Sequence, residues 1–365
     1  MDRQKVEQLS LFMVDIYNQI ETDILLNMVD YLKNGVDQND ILAWQGLKMM
    51  DIGGFNQANI KIMAKYAKTT ESEIKRLLKI AGFEAALQYD GELSELLPEM
   101  AIKLGNIYQS NAIIRALNGL EAQAKQTFNL INTTMLDKSR EIYLKTLNET
   151  VAKVITGTMT KNQALSHVAR KWANDGIPAM VDKLGREWSS EAYVNMTMRA
   201  TIGNTANNMQ MARMDDYEVD LVEVSKHEAS RPSHVQFQGK IYSRSGQSKR
   251  YPHINETGYG TITGIGGINC SHRLYPYVQG KSIKRPVIVD ETENKRKYEE
   301  SQKQRSLERA IRKAKKELMV AEQIGEPTEI QSAKLKVRNK QERMREFISE
   351  TERTRRYNRE RIVTP

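Results

Sequence analysis

The residue types with the widest chemical range are gathered in two neighbouring stretches, KHEASRPSHVQFQGKIY at 226–242 and YPHINETGYGTITGIGGINCSHRLYPY at 251–277. Together they hold four of the chain's five histidines and its only cysteine. Imidazole nitrogen and thiolate sulfur are preferred zinc ligands, so His227, His234, Cys270 and His272 form a candidate zinc set. A Cys-x-His pair can chelate from one turn if the remaining ligands come from a distant strand. The competing reading needs no metal: these side chains hydrogen-bond the backbone of a loop-rich fold that has too little regular ladder to satisfy itself. Under that reading Arg231 donates to carbonyls or a carboxylate, Pro232 fixes a turn, and Asn269 braces the glycine-rich loop. The residues favour this network with no bound cofactor, and zinc is the alternative.

Two enzymatic arrangements use the same residues. His253, Asn269 and His272 have the types of a metal-dependent histidine-asparagine-histidine nuclease, which needs a histidine base beside a metal on a strand-to-helix hairpin. The segment that would have to be helical is GYGTITGIGG, with five glycines in ten residues, which disfavours that chemistry. Cys270 as a nucleophile needs a base, which His272 can supply, and an activating acid, for which the sequence offers no candidate. A small buried thiol is the simpler reading.

The elements that position these residues fall into three regions. Residues 1–217 have a helical period, with Leu9, Phe12, Met13, Ile16, Ile20, Ile24 and Met28 spaced to stack along one stripe. Breaks are predicted at Asn34-Gly35, Gly53-Gly54, Asp90-Gly91, Gly157 and Asp175-Gly176, and capping boxes at Thr70 with Glu73 and Thr160 with Gln163, giving about seven helices. Gln57 to Ala81 has the outline of a helix-turn-helix, but two acidic residues would open its reading helix, so a plain helical pair is preferred. Residues 218–290 change to short apolar bursts, Val219 to Val224 and Lys240 to Tyr242, separated by turn formers. Their glycine-rich stretch is predicted to loop tightly against another backbone.

Residues 291–365 return to charged helix. Leu307, Ile311, Ala314, Leu318 and Ala321 form one narrow seam, Ile330, Ala333, Val337, Met344 and Phe347 a second, and Gly325-Glu326-Pro327 can reverse the chain between them. The expected fold is mainly α with a small loop-rich α+β module, ending in a charged helical hairpin or extended arms whose seams need a partner.

At 365 residues, 39% apolar and 28% charged, the chain is long enough for two or three folded units. One cysteine excludes an intramolecular disulfide and a four-cysteine zinc site. No apolar run approaches the roughly 20 residues of a membrane helix, and the first residues lack a secretory layout, so synthesis and folding in a cytoplasm are expected. The last 75 residues carry 21 Lys and Arg against 14 Asp and Glu, seven of the net charge of +9. Mixed signs point to a solvated face, and the surplus gives Arg312, Lys313, Lys315 and Lys316 a candidate contact with double-stranded DNA, salt-sensitive and sequence-blind, or with an acidic protein face.

DLVEVSKHEASRPSHVQFQGKIYS at 220–243, Tyr251-Pro252, TGYGTITGIGGINCSH at 257–272 and the closing YPY at 275–277 resemble the minor capsid protein family of tailed phages that infect Gram-positive bacteria. More distantly they resemble the head-morphogenesis family named after protein F of phage Mu. WSSEAYVNMTMRATIGNTANN at 188–208 looks like the family's arginine-containing helix, which gives Arg199 that position, and IYNQIETDILLNMVDYL extends the likeness to the N-terminal helices. The motif positions carried over are Arg199, His227, Arg231, Pro232, His234, Gly239, Tyr251, Pro252, Gly267, Asn269, Cys270 and His272, with His272 standing where the Mu-type pattern has a second cysteine. The resemblance implies a virion protein of few copies near the portal vertex, acting in head assembly or early DNA delivery, and no catalysis. Portal protein and major capsid or scaffolding protein are the implied partners, with no membrane. The other readings are a DNA-associated internal head protein ejected with the genome, and a zinc-dependent hydrolase or nuclease.

Overall fold

Apolar side chains at three- and four-residue spacing drive most of the chain into long helices. A computed structural model of the protein describes residues 3–33, 40–283 and 290–363. Among these, seven α-helices precede residue 217: α1 (Arg3–Lys33), α2 (Ile41–Met50), α3 (Ile52–Leu96), α4 (Pro98–Leu104), α5 (Asn111–Ile155), α6 (Lys161–Asp175) and α7 (Ser190–Asp216). A hairpin of β1 (Pro178–Val181) and β2 (Glu187–Ser189) joins α6 to α7. The central module follows with β3 (Leu221–Val224), β4 (Ile241–Ser243) and β5 (Leu274–Tyr277), and the chain continues into α8 (Glu291–Ile324) and α9 (Pro327–Glu350). No helix among the described residues is long and apolar enough to cross a membrane.

The fold class is the one expected, mainly α with a small α+β module, but several helix boundaries differ. α5 ends at Ile155, shortly before Gly157, and Gly176 caps α6. The helix runs straight through Gly53-Gly54 and Asp90-Gly91 because tertiary contacts favour its continuation. A Cβ on Gly54 would sit 3.3 Å from the Tyr31 hydroxyl, so glycine there allows a close approach. Asp90 accepts from Arg213 Nε at 2.6 Å and from the Tyr217 hydroxyl at 3.0 Å, a fixed acceptor on the helix face. Asn34-Gly35 lies outside the described residues. Thr70 opens no capping box; it sits inside α3, where its hydroxyl donates to the Tyr66 carbonyl one turn back. The same continuity removes the turn that a helix-turn-helix at 57–81 would need.

Thr160 does form the predicted box: its hydroxyl accepts from Gln163 N, and the Gln163 side chain accepts from Thr160 N at 3.1 Å. Thr160→Ala is therefore expected to lower stability by about 1 kcal/mol, read as a shifted urea midpoint with unchanged slope.

Two compact units emerge, each assembled from three stretches of chain. One comprises 1–13, 71–127 and 195–301; the other comprises 14–70, 128–194 and 302–365. Helices α1, α3, α5, α7 and α8 each contribute residues to both.

In the first unit, β3 is the centre of an antiparallel sheet ordered β4-β3-β5, pairing Val222 with Tyr242 on one side and with Pro276 on the other. Pro276 is tolerated because β5 is an edge. Val222, Val224, Tyr242, Ile254, Ile265 and Leu274 form the core with Leu93 of α3 and Met214 of α7, and α4 packs on it through Met100 and Leu104.

In the second unit Ile20, Ile24 and Met28 of the α1 stripe are buried; of the stripe's first-unit residues Met13 is buried and Phe12 is 45% exposed. Phe55 stacks on Tyr143 at 4.5 Å, and the Tyr17 hydroxyl donates to Asn132 at 2.7 Å. The C-terminal helices form the hairpin rather than extended arms. Of the two apolar seams, Ile311, Ala314 and Ala321 of α8 and Ala333 and Met344 of α9 are buried, while Leu307, Leu318, Ile330, Val337 and Phe347 are half-buried, so the seams find partners within the chain along part of their length.

Candidate functional site

The central module is held by a cluster that begins in a 3-10 turn, Pro232–Phe237, with Pro232 at its first position, where a missing N–H leaves no bond unmade. Just before the turn, Arg231 donates to the Thr263 carbonyl at 3.0 Å and to the Ile268 carbonyl at 2.9 Å, so one guanidinium grips the glycine-rich loop at two points. His234, inside the turn, places Nε2 2.7 Å from the same Thr263 carbonyl. The loop folds onto its own backbone, as a Cβ on Gly264 would lie 1.9 Å from the Gly258 oxygen and one on Gly267 2.0 Å from the Thr261 oxygen. Asn269 takes φ +58°, a left-handed turn that delivers Cys270 to the cluster; its contribution is made by the backbone.

Cys270 Sγ lies 3.4 Å from Nδ1 of His272 and 3.7 Å from Nδ1 of His234. His227 completes the group, its ring centre 4.5 Å from that of His272 and its Nδ1 3.0 Å from the Glu228 carbonyl. Gly239 adopts φ +65° and donates its N–H to Val224, which returns the chain to the sheet. Pro252 accepts from Ser243 N at 2.8 Å, and Tyr251 meets Tyr277 edge-on at 6.1 Å. Arg199 is half-buried on α7.

The structure thus brings His227, His234, Cys270 and His272 together and leaves His253 out. His253 packs against Gly246 and places Nε2 3.1 Å from the Arg244 carbonyl, and the 258–267 segment is a run of turns and bends rather than a nuclease helix. Sequence reasoning missed a clamp that reaches the first motif stretch from outside both. Asn294 on α8 accepts from Ser230 N and returns a bond to the Ser230 carbonyl, while Gln238 bridges Ser230 and His227 N. Asn294 and Ser230 are 64 residues apart, and no local signal links them.

Of the residues expected to meet DNA, three are committed within the chain. Arg312 pairs with Glu191, Lys316 with Glu21, and Lys315 donates to the Glu360 carbonyl at 2.8 Å. A phosphate reaching Arg312, Lys315 or Lys316 would first have to displace those partners. Lys313 is half-buried beside them.

Burial lowers the affinity of both central histidines for a proton. His272 is pushed down to about 2, by desolvation first and then by His227, His234, Arg273 and Arg231. His234 is lowered by desolvation and by Arg231, against the opposing effect of the Thr263 carbonyl. An imidazolium that would stabilise a reactive Cys270 thiolate is therefore disfavoured here. The unfolded chain, with histidines near 6.5, binds more protons than the folded one below that pH, so stability falls as pH drops. Urea midpoints are expected to be flat above about pH 7.5 and to decline from 6.5 to 5, with His272 contributing a slope approaching about 1.4 kcal/mol per pH unit and His234 adding in the same direction.

A family model described as phage minor capsid protein 2 matches residues 1–349. The chain belongs to that phage minor capsid family. A structural protein of Lactococcus phage LL-H is 26% identical over 366 residues, covering 95% of this chain and 97% of that protein. A structural protein of Lactococcus phage mv4 is 43% identical over 115 residues, 31% of this chain and 94% of that protein. No solved structure matches. The minor capsid family match extends through α8 and nearly all of α9, so the charged hairpin belongs to it as much as the motif-bearing module does.

Proposed function

We propose that this minor capsid protein is a low-copy component of the phage head, seated at the portal vertex and acting in head assembly or early DNA delivery, with its central module holding shape rather than turning over a substrate. The observation that carries the reading is the family match over residues 1–349, which spans both units and the whole histidine-cysteine cluster. The cluster's chemistry fits a structural role. Its arginine, two of its histidines and the Ser230–Asn294 clamp are spent on backbone carbonyls and amides, and burial keeps its central imidazoles neutral. The portal protein is the first partner, with the major capsid or scaffolding protein beside it, and the protein passes from the host cytoplasm into the virion.

Co-expression with the portal protein of the same phage tests this. The full chain is required, because a cut near residue 217 would divide the first unit and strip the second of its last segment. Co-elution of the two proteins is expected on size exclusion. Separate elution, together with salt-sensitive retention of the chain on double-stranded DNA, would favour a DNA-associated internal protein instead.

A further inference from the structure

Three ligand-type residues converge in the central module, His234, Cys270 and His272, with one ligand atom from each lying within 4.8 Å of the others. The two sulfur-to-nitrogen separations are 3.7 and 3.4 Å. In a tetrahedral zinc site, with Zn–S of about 2.3 Å and Zn–N of about 2.0–2.1 Å, sulfur and nitrogen ligands stand about 3.5 Å apart. Both edges therefore already have close to the length an ion would impose.

The protonation pattern points the same way. A carbonyl oxygen only accepts, so Nε2 of His234, 2.7 Å from the Thr263 carbonyl, carries that ring's proton, and Nδ1 of the neutral ring is a lone pair facing the sulfur. An N–H anchored on a backbone carbonyl with the other nitrogen turned inward is the arrangement of zinc-bound histidine. A purely hydrogen-bonded network accounts for His272 less well. That ring is 2% exposed, its Nδ1 faces only the Cys270 sulfur, and its Nε2 has no hydrogen-bond partner among the described residues.

We propose that His234, Cys270 and His272 form a site for a zinc-type divalent ion, completed by water or by His227, whose ring centre is 4.5 Å from that of His272. The thiol gives up its proton to solvent as the ion binds. The ion ties the 3-10 turn at Pro232–Phe237 to the end of the glycine-rich loop and the entry to β5, segments with little sheet ladder of their own. Its role is to hold the module together, in keeping with the structural reading above but not dependent on portal binding.

Cys270 is the chain's only cysteine, so a thiolate-to-metal charge-transfer band has a single possible source. The full chain, purified without a histidine tag, is stripped with chelator and titrated with Co(II). A near-ultraviolet thiolate band saturating at about one equivalent, with the visible bands of a tetrahedral ion, is expected. Zinc is expected to displace the cobalt and abolish both bands. Cys270→Ser should lose the charge-transfer band, and His234→Ala should weaken cobalt retention at least about tenfold. If either variant fails to fold, the wild-type titration decides alone. A folded wild-type chain that gives no thiolate band and holds no stoichiometric zinc as purified overturns the proposal, as does metal retained undiminished in both folded variants. Loss of stability at low pH does not discriminate, because protonation of buried histidines and release of the ion have the same sign.

Discussion

Replacing Lys316 with methionine is expected to destabilise the second unit by about 3–5 kcal/mol. Lys316 and Glu21 form an ion pair with side chains 6% and 1% exposed. Glu21 is also a junction: its other oxygen accepts from Ile177 N at 2.8 Å and from the Ser190 hydroxyl at 2.6 Å, fixing the chain on both sides of the β1–β2 hairpin. Methionine keeps most of the stem's length but removes the ammonium, leaving a buried carboxylate with its countercharge gone. Adding Glu21→Gln removes that stranded charge, so the double variant is expected to recover a large part of the loss. Arg361→Ala is the control. Its pair with Asp15 has side chains 64% and 37% exposed, and a change within about 0.5 kcal/mol is expected. Urea unfolding followed by circular dichroism measures all four proteins, and similar midpoints for Lys316→Met and Arg361→Ala would refute the buried-pair account.

Gly264→Ala is expected to have the second large effect, about 2–4 kcal/mol, confined to the central module. The added Cβ would meet the oxygen, carbonyl carbon and Cα of Gly258 at 1.9, 2.4 and 2.8 Å, and backbone cannot swing aside as a long side chain can. The loop must open, and with it go the Thr263 and Ile268 carbonyls on which Arg231 and His234 rest. Gly260 separates crowding from conformation. Its φ is +76° and nothing lies within 4 Å of its missing Cβ, so Gly260→Ala is expected to lose only about 1–2 kcal/mol. Hydrogen exchange of β3 and β5 amides would report the module's opening. Equal protection in the two variants would show that close backbone approach is not what selects glycine at 264.

Those two sites mark what sequence could and could not reveal. The glycine density of 258–267 announced a tight loop, since no other residue type tolerates such approach. The Thr160 box, the Gly157 and Gly176 stops and the α8–α9 reversal were equally legible, being written in adjacent residues. Misread boundaries came from local signals outweighed by distant partners: Asp90 stays helical because Arg213 and Tyr217 hold its carboxylate, and Gly54 because Tyr31 packs over it. β5 was hidden by Pro276, which breaks a central strand but suits an edge. The β1–β2 hairpin was too short to show a period of two.

The cluster itself was only half legible. Residue types singled out His227, His234, Cys270 and His272, yet their convergence depends on loop closure, and Asn294 enters from a helix that looked merely charged. In α8 the excess of Lys and Arg suggested a DNA-facing surface, but the partners these cations find within the chain were not legible. The carboxylates that take up Arg312 and Lys316 come from residues 191 and 21, far away in sequence.

An asymmetric cryo-electron microscopy reconstruction of the portal vertex of the phage tests the central claim most directly. The account predicts a few copies of this chain beside the portal, recognisable by the 45-residue helices α3 and α5 and by the α8–α9 hairpin. A portal vertex lacking that density, with the chain spread over the shell or missing from the particle, would contradict it.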